Sequence, residues 1–363
     1  MDFSTTEAAQ DLGGLVGTIV DAVCTPDHQR ELDSLDQRFD RDLWRKLIDA
    51  DILSTAAPES LGGGGYGVLE QTAVLVALGR QLAAVPYLES VVLAAGALGR
   101  FGSAELQQDW GVPAVRGARI LTVALDAEMG DGPVQAAPAG HGYRLTGTRT
   151  QVGYAPVADG FLVPAETDSG TAVFLVDADE AAVTSMQTTG LGSVGQLRLD
   201  GVEVDRTRML AGDDVADSIA RLRTLGHSAY QLGVLDRGLQ LTAEYARTRE
   251  QFDRPIGSFQ AVAQRLADGY IDVKGLRLTL TQAAWRLSAD LPADTELATA
   301  AFWAADAGHR LAHTIVHVHG GVGIDIDHPV HRYFLAAKQI EFALGSATGA
   351  LRRIGRELAE TPA

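Results

Sequence analysis

At 363 residues the chain is long enough for a large core and two or three domains. Its 47 acidic and 30 basic side chains leave a formal charge of −17, which repels phosphate backbones and anionic lipid, so nucleic acid and membranes are not expected partners. One cysteine, Cys24, rules out an internal disulfide or a multi-cysteine metal site. The opening MDFSTTEAAQ has no basic or apolar leader, and no window holds the roughly 18 apolar residues of a membrane helix, so a cytoplasmic protein is expected.

Residues 1–118 read as a helical domain. Ser4 and Glu7 have the spacing of a capping box, and Leu12, Leu15, Ile19 and Val23 follow as one apolar stripe. The glycine run Gly62–Gly65 breaks the pattern before a second helical stretch around Val74–Leu82. Residues 119–211 change to short runs rich in Val, Leu and Thr. These start at Ile120, Tyr143, Thr171 and Gln196 and predict a β-sandwich or small barrel. Residues 212–363 return to helical periodicity. One helix runs from Asp213 and stops at Pro255; a second places Phe259, Val262, Leu266, Tyr270 and Val273 on one face. A third closes at Gly320–Gly321, and a last starts near Pro329. The order α, β, α predicts an α+β multidomain protein.

Three motifs carry chemistry. GLGSVG (Gly190, Gly192, Gly195) matches the dinucleotide fingerprint, but a strand follows it where that fingerprint needs a helix, so it reads as a loop. His313, His317, His319, His328 and His331 cluster without an H-E-x-x-H pattern, which favours helix-end or interface roles over a metal site. Arg247, Arg249 and Arg254 gather three cations at a helix end. That is either an anion site suited to phosphate or a complement to the helix dipole.

The stretch containing Arg249, Phe252, Pro255, Ile256, Phe259 and Gln260 resembles the arginine motif of the acyl-CoA dehydrogenases, with Asp253 where glycine is usual. PESLGGGGYG (Pro58–Gly67), GLGSVGQLRLDGVEVD and HVHGGVG (His317–Gly323) resemble three further family segments in the same order. The resemblance spans the chain and implies a helical domain, a β domain and a C-terminal four-helix bundle. It also implies FAD as cofactor, α,β-dehydrogenation of an acyl-CoA thioester, and an electron-transfer acceptor.

The chain departs from the family at decisive positions. The usual catalytic glutamate falls on Leu344, and the alternative base position falls near Arg223. Glu341, one turn earlier, reads as a surface residue beside Lys338. The segments that contact the flavin ring in the family correspond to Leu125–Gly132 and to Gln151, Val152 and Gly153, which supply no aromatic wall or hydroxyl. The arginine motif and glycine turn are kept. The chain is therefore similar to the base-lacking subunits of actinobacterial heterotetrameric steroid side-chain acyl-CoA dehydrogenases. That resemblance implies no catalytic residue here. Arg249, Gln251, Phe252, Gln260, His317, Gly320 and Gly321 would instead complete the FAD site of a homologous catalytic partner in an α2β2 assembly. A homotetramer with an unconventional base, a flavin monooxygenase and a non-enzymatic scaffold are the alternatives.

Overall fold

The computed structural model describes residues 3, 5–125 and 131–360. The N-terminal region holds α1 (Glu7–Val23), α2 (Pro26–Asp33), α3 (Arg41–Asp49), α4 (Ile52–Thr55) and α5 (Val68–Arg80). After a π-helical segment, Tyr87–Ala95, come the short α6 (Gly96–Phe101), α7 (Ala104–Leu106) and α8 (Val112–Val115). Ser4 lies outside the described residues. The cap of α1 is Thr6, whose hydroxyl accepts from Ala9 N–H (3.1 Å) and donates to Glu70 of α5 (2.8 Å). The buried face of α1 is Ala9, Leu12, Val16 and Val20, so Leu15, 46% exposed, is not part of the stripe.

The middle region is one curled sheet of seven strands. They are β1 (Leu121–Val123), β2 (Val134–Ala139), β3 (Gly142–Gly153), β4 (Gly160–Thr167), β5 (Gly170–Asp177), β6 (Ala182–Met186) and β7 (Val194–Asp205). The order is β1-β4-β2-β3-β7-β6, with β5 on the other side of β4. β4 runs parallel to β1 and β2, and the other pairings are antiparallel. Leu145, Phe161, Val163 and Phe174 are fully buried in the sheet's own core.

The C-terminal region is built from α9 (Val215–Thr248), α10 (Gln260–Ser288), α11 (Asp294–His319) and α12 (Val330–Ala343), with α13 (Ser346–Glu360) as a fifth helix. Pro255 does not end α9. That helix stops at Thr248, and a small hairpin, β8 (Glu250–Gln251) and β9 (Arg254–Pro255), follows. Tyr270 is likewise solvent-facing, and α10 buries Val273, Leu276 and Leu280 instead. A single core runs through both helical regions. Gln231 of α9 fixes the register of the bundle by donating to the carbonyls of Ala304 and Ala337, each at 3.1 Å. Among the described residues no helix is long and apolar enough to cross a membrane.

Candidate functional site

Two regions gather the residues the sequence singles out. The first is the exposed end of the bundle. Arg249 caps α9 with its N–H on the Tyr245 carbonyl (2.8 Å). Phe252 and Asp253 then take φ 55° and 62° to close the β8–β9 hairpin. A two-residue hairpin loop demands left-handed conformations that Asn and Gly adopt cheaply and a bulky residue does not. This strained turn holds Phe252 86% exposed. Phe252 stands edge-on to Phe259 (6.1 Å), while Arg254 lies over the Phe259 ring at 4.1 Å.

α11 ends at the same place, because buried His319 stacks on Tyr245 with ring centroids 4.4 Å apart. Burial lowers the His319 pKa, and its Nδ1 sits 2.8 Å from the Ile315 carbonyl. Gly320, at φ 63°, turns the chain outward; a side chain at Gly320 or Gly321 would meet open space. The structure thus brings Arg249, Gln251, Phe252 and Gln260 to the same exposed end as His317, Gly320 and Gly321. Arg247 lies in the last turn of α9, where the dipole explains it. Arg249 and Arg254 lie beyond that turn, which favours the anion-site reading for them. Among the described residues no three metal-ligating side chains converge. His313 packs edge-on against Phe334, and His331 Nδ1 lies 2.7 Å from the His328 carbonyl.

The second region is a cavity of about 470 Å³ where all three parts of the chain meet. Its walls are the Tyr87–Ala95 segment, the end of β3, the loop 187–193 and the helices α9 and α12. The GLGSVG motif forms much of that loop. Leu191 and Gly192 N–H groups both donate to the Gln339 amide oxygen of α12, at 2.8 and 3.1 Å. A Cβ at Gly190 would stand 2.5 Å from that same oxygen, so the glycines let the loop close onto α12. On its other side Gln37 accepts from Ser193 Oγ and donates to Ser185 Oγ, each at 2.7 Å.

No carboxylate stands at either position to which the family resemblance assigns the base. Leu344 is buried at the C-cap of α12, and Arg223 donates to the neighbouring Ala343 carbonyl at 3.4 Å. Glu341 is not a surface residue: it is 8% exposed. Lys338 Nζ donates to its Oε2 at 2.5 Å and His309 Nδ1 lies 3.2 Å from its Oε1. Those partners hold it away from the cavity lining.

The cavity does contain a carboxyl that sequence reasoning missed, Glu89. Burial pushes its pKa up to about 7, against the opposing pull of its own backbone N–H and of Arg223. His227, on the facing helix, is pushed down to about 3 by burial and by Arg223. Gln151 and Tyr154, at the exit of β3, both take left-handed φ (53° and 54°) on the cavity wall.

The comparisons agree with this architecture. Residues 6–118 match the N-terminal domain of acyl-CoA dehydrogenases and residues 212–359 match their C-terminal domain. The chain is 78% identical to acyl-CoA dehydrogenase FadE27 of Mycobacterium tuberculosis (strain ATCC 25618 / H37Rv), over 100% of both chains. The chain belongs to the acyl-CoA dehydrogenase family. FadE28 of the same organism is 33% identical, over 91% of this chain and 97% of its own. Among solved structures, a chain of the ChsE4-ChsE5 complex from Mycobacterium tuberculosis superposes with TM-score 0.98 at 80% identity, covering 100% of each. The Tcur3481-Tcur3483 steroid ACAD G363A variant gives 0.92 at 37% identity, covering 98% and 99%.

FAD is the cofactor of this oxidoreductase family, and PigA, on the same fold, has been solved in complex with it. The residues present fit one part of that cofactor. The exposed bundle end offers guanidinium groups suited to a diphosphate, beside a glycine turn with open space for a ligand to approach. The end of β3 lacks the groups that the family resemblance assigns to the flavin ring, while Tyr154, Thr188, Thr189 and Ser193 line the cavity nearby. Gln151, Val152 and Gly153 present no aromatic face or hydroxyl, and a Cβ at Gly153 would stand 3.1 Å from Glu89 Oε1. The segment 126–130, within the second ring-contacting stretch named from sequence, lies outside the described residues.

Proposed function

We propose that the chain is the base-lacking subunit of a heteromeric acyl-CoA dehydrogenase and completes the FAD site of a homologous catalytic partner. One observation carries this reading. The base positions hold Leu344 and Arg223, while the cation-bearing end of the bundle lies far from that cavity. Arg223 and Arg249 are separated by most of α9, about 40 Å at 1.5 Å per residue. No single flavin dinucleotide bridges that distance, so the exposed end serves a cofactor whose ring sits in another chain.

FAD, when bound, supplies the redox chemistry, accepting hydride from the β-carbon of an acyl thioester. This chain's residues bind and orient its distal half. Arg249 would provide charge for the diphosphate, and the turn at Gly320 and Gly321, free of side chains, would let it approach the backbone. The Gln251 and Gln260 amides and the His317 ring add hydrogen bonds, and Phe252 offers an exposed ring face. The α-proton is removed by the partner's carboxylate, because none stands at the family positions here. Heteromeric solved relatives support an α2β2 assembly, and the steroid named for one of them supports a steroid side-chain CoA thioester as substrate. An electron-transfer protein would be the acceptor for the electrons that the cofactor takes up.

The test is flavin content and molar mass, for the chain alone and co-expressed with a glutamate-bearing homologue. A flavin-poor chain alone, and a yellow heterotetramer with about one flavin per two chains, is the expected result. One flavin per subunit in a homotetramer of this chain would overturn the reading.

A further inference from the structure

The cavity inside this chain has lost the base and the ring contacts, yet it has not collapsed. Its volume lies in the range of small-molecule sites, about 300–1,000 Å³. Leu88, Leu93, Val123, Val194, Phe334 and Leu335 give it apolar walls. Into this lining project one carboxyl, Glu89, and one imidazole, His227. The wall between β3 and the loop is held by two left-handed non-glycine residues, Gln151 and Tyr154. Backbone strain of that kind persists where surrounding structure enforces a shape, and it concentrates at binding sites.

We propose that this cavity binds an uncharged, mainly apolar molecule bearing a ketone-type carbonyl, which accepts a hydrogen bond from the Glu89 carboxyl. The charge balance selects this class. Lys338 is engaged by Glu341, and Arg223 bonds the Ala343 carbonyl and faces Glu89, so neither cation calls for an anionic ligand. A carboxylate ligand would bring a second ionisable carboxyl into the same apolar lining, where burial disfavours its charge. A plain hydrocarbon would leave the O–H of the protonated, desolvated carboxyl without an acceptor, which disfavours it against a carbonyl-bearing analogue. The inference is independent of whether the bundle end serves a neighbour.

Binding depends on pH through Glu89. The groups facing it are Arg223, His227 and Tyr230 on α9, Tyr154 from the β domain, Arg38 from the N-terminal region and Lys338 on α12. Burial raises both tyrosines and lowers His227, so these three stay neutral across the range in which Glu89 gives up its proton. Affinity for the carbonyl falls as pH rises through about 7.

The experiment uses the full chain with its co-purified partner and the fluorescent ketone 6-propionyl-2-(dimethylamino)naphthalene. Its carbonyl-free analogue, 2-(dimethylamino)naphthalene, is the control. At pH 6 the ketone binds about tenfold more tightly than the analogue, and above pH 7 its affinity falls towards tenfold per unit. Glu89→Gln, which keeps an N–H donor, retains ketone binding but flattens the pH profile. Glu89→Leu brings the two probes to equal affinity. Equal affinity of the probes in the unmodified protein overturns the proposal, as does a pH slope that survives in Glu89→Gln. Ketone binding that no Glu89 variant alters belongs to another site and also overturns it. If Glu89→Leu does not fold, the pH profile of Glu89→Gln decides alone.

Discussion

The exposed end of the bundle and the internal cavity share one helix, α9, which meets α11 at the first and α12 at the second, yet they solve opposite problems. The exposed end keeps its cations and amides in water, and its two segments are joined where half-buried Tyr245 stacks on buried His319. The cavity hides one carboxyl and one imidazole among apolar walls, and burial moves both away from their charged forms. The difference teaches how a chain can keep a fold and divide its chemistry. Polar groups at a surface cost little to retain while a partner uses them. Enclosed ionisable groups strain the folded state, and their survival points to a ligand of the cavity itself.

Four experiments sharpen this contrast, and the largest effects belong to the exposed end. Arg249→Glu reverses the charge offered to a diphosphate, and we expect at least a hundredfold weaker FAD retention by the heteromer, read from flavin fluorescence released on dilution. The secondary structure should be unchanged, because Arg249 is exposed. An equal loss from a charge reversal at exposed Arg144, paired with Glu203 in the β domain, would erase the distinction between the regions.

Leu344→Glu restores a carboxylate at the family's base position. It should give no turnover in this chain alone and should destabilise it by about 2–4 kcal/mol in urea, because Leu344 is buried and Glu341 is nearby. A gain of dehydrogenase activity without the partner would show that the cavity still takes a flavin ring.

The third experiment follows stability with pH. The folded state raises the Glu89 pKa above its ordinary value, so the folded protein holds the proton more tightly than the unfolded chain does. Stability attributable to this group is therefore full at low pH and is lost as pH climbs from about 4.5 through about 7. Glu89→Gln should melt several degrees above the unmodified chain at pH 8 and equal to it near pH 4. His227 runs the other way. Its depressed pKa means stability present above pH 6.5 and lost as pH falls towards 3, so His227→Gln should blunt acid sensitivity. The smallest effect is Asp253→Gly, which relieves one left-handed residue of the hairpin and should stabilise by about 0.5 kcal/mol, measured as a shift in urea midpoint.

The sequence disclosed most of the architecture and part of the chemistry, and the omissions have physical causes. The helical regions were legible because their apolar periodicity is long. Even so, Leu15 misplaced the stripe of α1, since a helix that packs along one side leaves some leucines in water. Strand β2 reads VQAAPA, with Val134 as its one β-branched residue, too few to mark a strand. Strand β4 carries Pro164 in its middle. The sheet tolerates it because pairing with β1 ends at Leu162 and pairing with β2 begins at Ala165, leaving the proline in the gap. The arginine motif was visible because its residues fall within one short stretch, Arg249 to Gln260. Glu89 was not, because it sits in an ordinary apolar run and its facing groups, Gly153, Arg223 and His227, come from distant parts of the chain.

The Gln339 contact with the glycine loop also bears on how the chain matures. It joins residues 147 and 148 positions apart, and the Gln37–Ser193 bond on the other side of the loop spans 156. Contacts of such sequence separation carry a large loop-closure cost and form late. During synthesis, then, the N-terminal helices and the sheet can assemble while the roof of the cavity stays open. It shuts only when α12 has emerged and packed on α9. A chain stalled before that helix would expose Leu88, Leu93 and Val123 to water, and quality-control proteases would meet it in that state.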